Sequence, residues 1–168
     1  MIDDELAMVA WGRAQLDEDE RRAQAASDGP WRVGKVDHGS ASVVDKDGHD
    51  VIPEDVDYGT VVALADCEHV VRYDPVWALA RVAGLRAVLG LYETNLRVRE
   101  ENAQKLARLH GTARLDAAWG AEVGQLRAFG LEVEDRVVAL RDVVRLQLVE
   151  YAGRPGYREQ WRPVTDRG

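Results

Sequence analysis

Apolar residues recur at steps of three or four positions along the first 16 residues, with Arg13 as a gap, which is the spacing of an amphipathic helix. The stripe consists of Ile2, Leu6, Val9 and Leu16, and acidic residues fill the first turn, where the helix dipole favours them. The sequence Ser27-Asp28-Gly29-Pro30 ends this pattern, because proline cannot continue a helix. We predict a helix over residues 2–26, with Gly29 in the left-handed conformation that often follows a helix.

A valine-rich segment with turn-forming residues follows, and it predicts three short antiparallel strands near residues 31–37, 41–45 and 49–53. Lys46-Asp47-Gly48 suits a hairpin loop with Gly48 in a left-handed conformation. A sheet this small needs a helix on one face, and the first helix is the nearest candidate. Trp31 is then expected to be largely buried between that helix and the sheet, as a structural anchor.

The next segment contains signals for two helix starts. Residues 54–65 fit either a fourth strand or the start of a helix, and Asp66 is expected to cap a short helix over residues 67–72. Asp74-Pro75 is a stronger signal, because aspartate suits the N-cap and proline the first helical position. Pro75 is therefore expected to anchor the start of a long helix that reaches about residue 110.

Two long segments then carry apolar stripes at helical spacing. The first stripe alternates steps of four and three residues: Leu85, Leu89, Tyr92, Leu96, Arg99, Ala103, Leu106 and His110. Arg99 and His110 interrupt this stripe and Ala103 weakens it, so the heptad pattern is imperfect. The second lies in a helix predicted over residues 113–152: Leu126, Phe129, Val133, Val137, Leu140, Val144, Leu148 and Tyr151. Gly130 is expected to kink or split this second helix. We expect the two helices to fold back as an antiparallel hairpin.

The predicted fold class is therefore α+β and dominated by helices. It comprises an N-terminal helix, a small antiparallel sheet of three to four strands, and a hairpin of two long helices. The expected domains are an α+β head over residues 1–74, the helical hairpin over residues 75–153, and an extended basic tail over residues 154–168.

The chain has 168 residues and a formal net charge of −8. Because an acidic surface repels phosphates, we expect no direct nucleic-acid partner. The sequence lacks the basic start and apolar core of a signal peptide, and no apolar run is long enough to span a membrane. Cys67 is the only cysteine, which fits a reducing compartment. These features predict a cytoplasmic protein with no membrane partner.

Few residues suggest catalysis or metal binding. Cys67 and His69 lie two apart, which on a helix separates their directions by about 200° and prevents them from sharing an ion or forming a nucleophile–base pair. Cys67 is instead expected to be a buried structural residue. Asp45, Asp47 and Asp50 lack the glutamate of a calcium loop and are interpreted as turn residues. We predict no catalytic residue, no metal and no cofactor.

Several segments together resemble a family of small actinobacterial and actinophage proteins of unknown function. These segments are "LDEDERRAQAASDGPWRVG", "VVDKDG", "ADCEHVVRYDPVWAL" and the tail "YAGRPGYREQWRP". The Gly-Pro-Trp corner also resembles Ead-like early proteins of lambdoid phages. The resemblance covers roughly residues 10–92 and 138–163. The resemblance supplies no catalytic residue that could be assigned to this chain, and within its shared patch we interpret Glu68, His69, Arg72 and Asp74 as residues that cap and dock the long helix.

The favoured hypothesis is a non-enzymatic phage or prophage-type accessory protein of the bacterial host's cytoplasm. It would bind a protein partner or form a homo-oligomer through residues 85–151, because two long apolar stripes need more cover than a hairpin supplies. One alternative is a small-ligand binder or enzyme that uses the His69/Arg72/Asp74 patch with Trp31 or Trp161. The other alternative is an acidic decoy of a nucleic-acid-binding protein, suggested by the net charge and the acids at positions 17–20.

Overall fold

The computed structural model describes residues 2–37, 40–52, 63–111 and 116–164. Of residues 54–65, where the sequence allows a strand or the start of a helix, residues 54–62 lie outside these ranges, and Leu64 and Ala65 are helical. The elements are helix α1 (Ile2–Ala25), strands β1 (Arg32–Asp37), β2 (Ser40–Val44) and β3 (Asp50–Ile52), and helices α2 (Leu64–Arg72), α3 (Pro75–His110) and α4 (Ala117–Leu148). Short 3-10 turns follow at Val149–Tyr151 and Glu159–Trp161. The predicted helix-dominated α+β fold is confirmed.

The corner that follows α1 contains Gly29, whose backbone conformation differs from the predicted one. Among the described glycines, Gly48 and Gly156 have positive φ. The prediction for Gly48 is therefore confirmed, and the left-handed conformation predicted for Gly29 is wrong. A Cβ atom at Gly29 would lie 2.9 Å from a methyl group of Val76. Lack of space therefore selects glycine at this corner.

Residues 15–84 form one compact unit, built around the small sheet. β2 lies between β1 and β3 and pairs antiparallel with both. Ala41, Val43 and Cys67 are fully buried at the centre of its core, so the helix on the sheet is α2. The prediction that the first helix covers the sheet is wrong, because α2 supplies Leu64 and the adjacent valines 70 and 71 to this core, whereas the part of α1 in this unit is mostly charged.

Trp31 anchors the corner, although not in the predicted place. Its ring is half-buried and packs against the cluster formed by the sheet and α2. Its indole nitrogen donates to the carbonyl oxygen of Ser27 at 3.0 Å, and its backbone N–H donates to the Asp74 carboxylate at 3.2 Å. The prediction of a largely buried ring between the first helix and the sheet is therefore corrected: the ring is held at the edge of the core.

Of the two helix caps predicted around the junction between α2 and α3, one is observed. α2 begins at Leu64, so Asp66 lies in its first turn instead of capping it. Asp74 does cap α3: its carboxylate accepts a hydrogen bond from the backbone N–H of Trp77 at 2.7 Å. Pro75 is the first residue of α3, as predicted.

Residues 1–14 and 85–168 form the other compact unit, in which three helices pack together. The side-chain amide of Asn102 donates a hydrogen bond to the carbonyl oxygen of Leu126 at 3.1 Å. The indole N–H of Trp119 donates a hydrogen bond to the carbonyl oxygen of Leu109, also at 3.1 Å. The pairing runs in opposite directions along α3 and α4, which makes them the predicted antiparallel hairpin. The first half of α1 adds a third helix, since Glu5 bonds Tyr92 and Arg13 pairs with Glu93.

Gly130 neither splits nor ends α4, which runs without interruption from Ala117 to Leu148. A Cβ atom at Gly130 would lie 2.8 Å from the amide nitrogen of Asn102, which is buried. The glycine therefore lets the buried amide fit between the two helices, and the predicted kink or split is not needed to explain it.

The tail docks on α1 instead of extending. Trp161 and Tyr151 are buried, and both rings contact Trp11. The Trp11 indole donates to the carbonyl oxygen of Pro155 at 3.1 Å. Because α1 and α3 each contribute to both compact units, the units also differ from the predicted segments 1–74, 75–153 and 154–168.

Gly156 is expected to be essential for this docking. It has a φ of 84°, and a Cβ atom there would lie 3.0 Å from the Trp11 indole nitrogen. Gly156→Ala should therefore lower the free energy of unfolding by about 2 kcal/mol. Gly153→Ala is the control, because a Cβ atom at Gly153 meets nothing within 4 Å. Thermal unfolding should separate the two variants, and equal melting temperatures would contradict the docked tail.

Candidate functional site

The junction of α2 and α3 holds the predicted patch, but its residues have different roles. Asp74 is buried, and its carboxylate accepts hydrogen bonds from the backbone N–H groups of Trp31 and Trp77. The carboxylate therefore has a structural role. His69 and Arg72 are exposed on α2. The structure thus assigns the aspartate to the scaffold and leaves the histidine and the arginine on the surface.

A row of stacked side chains extends from this patch along the start of α3, and we call it the aromatic ladder: His69, Tyr73, Trp77 and Arg81. The ring centroids of His69 and Tyr73 are 5.0 Å apart, and those of Tyr73 and Trp77 are 4.9 Å apart at an interplanar angle of 84°. The Arg81 guanidinium lies 5.6 Å from the Trp77 ring centroid. Tyr73 and Trp77 nevertheless remain 49% and 42% exposed.

A cavity of about 330 Å³ lies beside the ladder. Its lining comes from the later part of α1 and from the α2–α3 segment: Asp19, Arg22, Ala23, Tyr73, Trp77, Ala78, Arg81 and Val82. This arrangement of side chains was not predicted from the sequence. The signal was present as a four-residue spacing from position 69 to position 81, which places side chains on one face across the helix junction.

Trp161, the other predicted binding residue, lies in the tail cluster. Its ring contacts Trp11 and Tyr157 and is buried, so it has no exposed face for a ligand. Trp161 belongs to the compact unit formed by residues 1–14 and 85–168, whereas the His69 patch belongs to the unit of residues 15–84. Its observed role is to hold the tail on α1.

A second candidate surface lies between α3 and α4, and we call it the hairpin groove. Its wide end is a cavity of about 470 Å³ with Leu109, Leu126 and Phe129 as apolar lining. Charged and polar residues complete the lining: Lys105, Arg108, Glu122 and Gln125. Phe129 is 41% exposed, so this member of the predicted apolar stripe of α4 lies at the surface.

Helical spacing continues this groove along the hairpin. On α3, Val98 lies 7 residues after Leu91 and 11 residues before Leu109, so the three side chains share one face of the helix. On α4, Val143 lies two heptads after Phe129. Leu91 is 54% exposed and Val143 is 42% exposed. The result is a row of half-exposed apolar side chains along the hairpin.

The first half of α1 covers the opposite side of the hairpin. A Cβ atom at Gly12 would meet the side chains of Leu89 and Leu148, one from each hairpin helix. These two leucines belong to the buried faces of α3 and α4, whereas Leu91 and Phe129 belong to the exposed ones. One face of the hairpin is therefore filled from within the chain, and the other faces solvent.

The β2–β3 loop brings together three potential metal ligands, Asp45, Asp47 and His49, whose ligand atoms lie within 4.8 Å of one another. The Asp45 carboxylate accepts hydrogen bonds from the backbone N–H groups of His49 and Asp47, each at 2.9 Å. The hydrogen bond from His49 is the main cause of the lowered pKa of Asp45, and the hydrogen bond from Asp47 adds to it. The aspartate thus shapes the hairpin loop, which is the turn role that the sequence predicted.

Cys67 is fully buried beneath the sheet, and its thiol contacts the carbonyl oxygen of Ala41 at 3.2 Å. Burial raises the pKa of this thiol, and the nearby charge of Asp66 adds to the effect. Both factors disfavour the nucleophilic thiolate. The cysteine is a core residue, as the sequence predicted.

The fold and these surfaces define a class: a helix-dominated α+β protein that presents exposed apolar and aromatic surfaces on its helices. The chain belongs to DUF6221, a family of unknown function, whose sequence profile matches residues 5–163. No curated protein and no solved structure matches the chain. Within the described ranges, no helix combines the length and apolar character needed to cross a bilayer.

Asp74 is expected to stabilise the junction on which the ladder stands. Asp74→Ala removes the cap of α3 and leaves the Trp31 N–H without its acceptor, so the free energy of unfolding should fall by about 2 kcal/mol. Asp66→Ala serves as the control, because Asp66 is exposed and caps no helix in the described residues. Denaturant unfolding should show a loss for Asp74→Ala only, and equal losses would contradict the capping role.

The buried Cys67 thiol is expected to resist modification. With an aromatic disulfide reagent at neutral pH, the native protein should release almost no chromophore, and full reaction should follow in denaturant. Rapid stoichiometric reaction of the folded protein would show that the core around α2 and the sheet is open.

Proposed function

We propose that this member of DUF6221 is a non-enzymatic interaction protein that self-associates through the hairpin groove. The observation that carries the proposal is the row of half-exposed apolar side chains on the hairpin face opposite α1: Leu91, Phe129 and Val143. Contiguous exposed apolar surface of this kind is typical of protein interfaces. A groove between two antiparallel helices is suited to receive further helices.

A second copy of the hairpin fits this groove by symmetry. When two helical hairpins meet face to face about a twofold axis, each groove receives the ridge of the other, and a four-helix arrangement results. Both copies then bury the same apolar row. This accounts for apolar residues that the chain itself leaves half-exposed.

The charges along the groove support self-pairing. Acidic and basic residues line this face in balanced numbers: Glu101 and Glu122 with Lys105 and Arg108. The chain as a whole carries a net charge of −8. Two copies would therefore repel each other least where acidic and basic residues alternate.

The sequence resemblance supports a proposal for the biological setting. The Gly-Pro-Trp corner and the Asp-Pro helix start resemble small actinobacterial and actinophage proteins and, more loosely, Ead-like proteins of lambdoid phages. We therefore propose an accessory role for a phage or prophage in the cytoplasm of its bacterial host. A self-associating helical protein suits such a role because it acts by contact with itself or with a host protein.

A charge placed in the groove should abolish self-association. We expect Phe129→Asp to convert a dimer into a monomer, because the new carboxylate would be buried without a partner at the interface. Leu131→Asp is the matched control: Leu131 lies on the same helix, is 71% exposed, and points about 200° away from Phe129. Light scattering across the micromolar range measures the mass.

The wild type and Leu131→Asp are expected to show the mass of two chains, and Phe129→Asp that of one chain. A monomeric wild type at the highest concentration would overturn self-association. Equal dissociation of both variants would overturn the placement of the interface in the groove.

A further inference from the structure

We propose that the contact of Asn102 with Leu126 and Gly130, which we call the registry contact, sets the register in which α3 and α4 pair. The observation that carries this inference is a polar side chain that is buried between the two helices at a cost in stability. Leu126 also lines the wide end of the hairpin groove, so the register decides which side chains meet there. The inference concerns one chain and does not depend on self-association.

The registry contact joins the side chain of one helix to the backbone of the other. Asn102 is 6% exposed, and its side-chain amide donates a hydrogen bond to the Leu126 carbonyl oxygen at 3.1 Å. Gly130 lies one helical turn after that carbonyl, and a Cβ atom there would lie 2.8 Å from the amide nitrogen of Asn102. The bond therefore needs a glycine at this position of α4.

Both residues of this pair reduce the stability of the hairpin. Within the described residues, the Oδ1 atom of Asn102 is buried and has no hydrogen-bond partner. A buried acceptor without a donor is unfavourable, and so is glycine in the interior of a helix. An apolar residue at position 102 avoids the first cost, so the gain in stability from this contact does not explain why an asparagine lies there.

Apolar packing by itself leaves the register of the hairpin ambiguous. Buried residues of α4 recur at steps of four, seven and four: Val133, Val137, Val144 and Leu148. The apolar stripe of α3 repeats every seven residues as well. A slide of one helix along the other by one heptad, about 10 Å, therefore places apolar residues against apolar residues again.

The registry contact removes this ambiguity. The residues one heptad before and after Gly130 are Val123 and Val137, and both are buried. A slide of one heptad in either direction would place one of these valines opposite Asn102. The branched side chain would fill the space that the amide needs, and the amide would be buried without an acceptor on α4.

Asn95 provides a contrast on the same helix. It lies one heptad before Asn102 and is also buried, but its amide donates to the Leu91 carbonyl oxygen of its own helix at 2.9 Å. Its amide therefore does not bond to α4. In coiled coils, a single buried asparagine that bonds across the seam specifies the register at a cost in stability. Asn102 combines the same burial, cross-helix bond and cost.

The test measures the register directly, as the distance between two nitroxide labels on exposed positions of the two helices. The labels are attached at Ala107→Cys and Ala139→Cys in a chain that also carries Cys67→Ala, so that only the introduced cysteines react. The sample is diluted with unlabelled protein, so that only distances within one chain contribute. With Asn102 present, pulsed electron resonance should give one narrow distance distribution.

Asn102→Leu keeps the branching of the side chain and removes its polar atoms. We expect the melting temperature to stay the same or to rise, and a second population of label distances to appear, with the helices displaced by about 10 Å along their axes. A contact that contributes only stability would instead lower the melting temperature and leave one distance. A single unchanged distance in Asn102→Leu would therefore overturn the proposal.

A second measurement tests the contact itself with smaller substitutions. Gly130→Ala should lower the melting temperature of the otherwise unchanged chain, because the new Cβ displaces the amide. In an Asn102→Ala background the same substitution should raise it, since the amide is gone and alanine favours the helix. Gly124→Ala is the matched control: its Cβ meets nothing within 4 Å, so it should raise the melting temperature in both backgrounds. Equal losses for Gly130→Ala in both backgrounds would also overturn the proposal.

Discussion

The buried carboxylate of Glu5 is the contact on which the helical unit depends. It accepts a hydrogen bond from the Tyr92 hydroxyl at 3.2 Å and pairs with the Arg99 guanidinium. Arg99 also reaches Glu134 on α4 at 3.7 Å, so one arginine connects all three helices. Burial raises the pKa of Tyr92, and the charge of Glu5 raises it further, which keeps the hydroxyl protonated as a donor. A buried charge is tolerated only when it is paired, so this network fixes where α1 lies along α3.

This register has a consequence for the rest of the hairpin. α1 packs against Leu89, Tyr92 and Leu148, while Leu91 on α3 and Phe129 on α4 remain about half exposed. A three-helix unit with one closed face and one open face follows. The self-association proposed for the open face therefore depends on a polar contact buried on the closed one.

The helices and strands could be predicted from the sequence because their signals are local. Pro30 ends α1, Asp74 and Pro75 start α3, and Gly48 turns the β hairpin, each through the conformation of a few neighbouring residues. The partners of each element could not be predicted this way. Apolar spacing shows which face of a helix is buried but not what buries it. Hence the apolar spacing alone points to α1 as the cover of the sheet, whereas α2 provides it.

The most direct test of the account uses the fact that Phe129 is the only phenylalanine in the chain. Incorporation of 4-fluorophenylalanine gives a single fluorine signal from the hairpin groove. If the groove is the interface between two copies, this signal should move with increasing protein concentration and lose its sensitivity to exchange of water for heavy water. A signal that stays fully solvent-sensitive and does not move at any concentration would contradict self-association through this face.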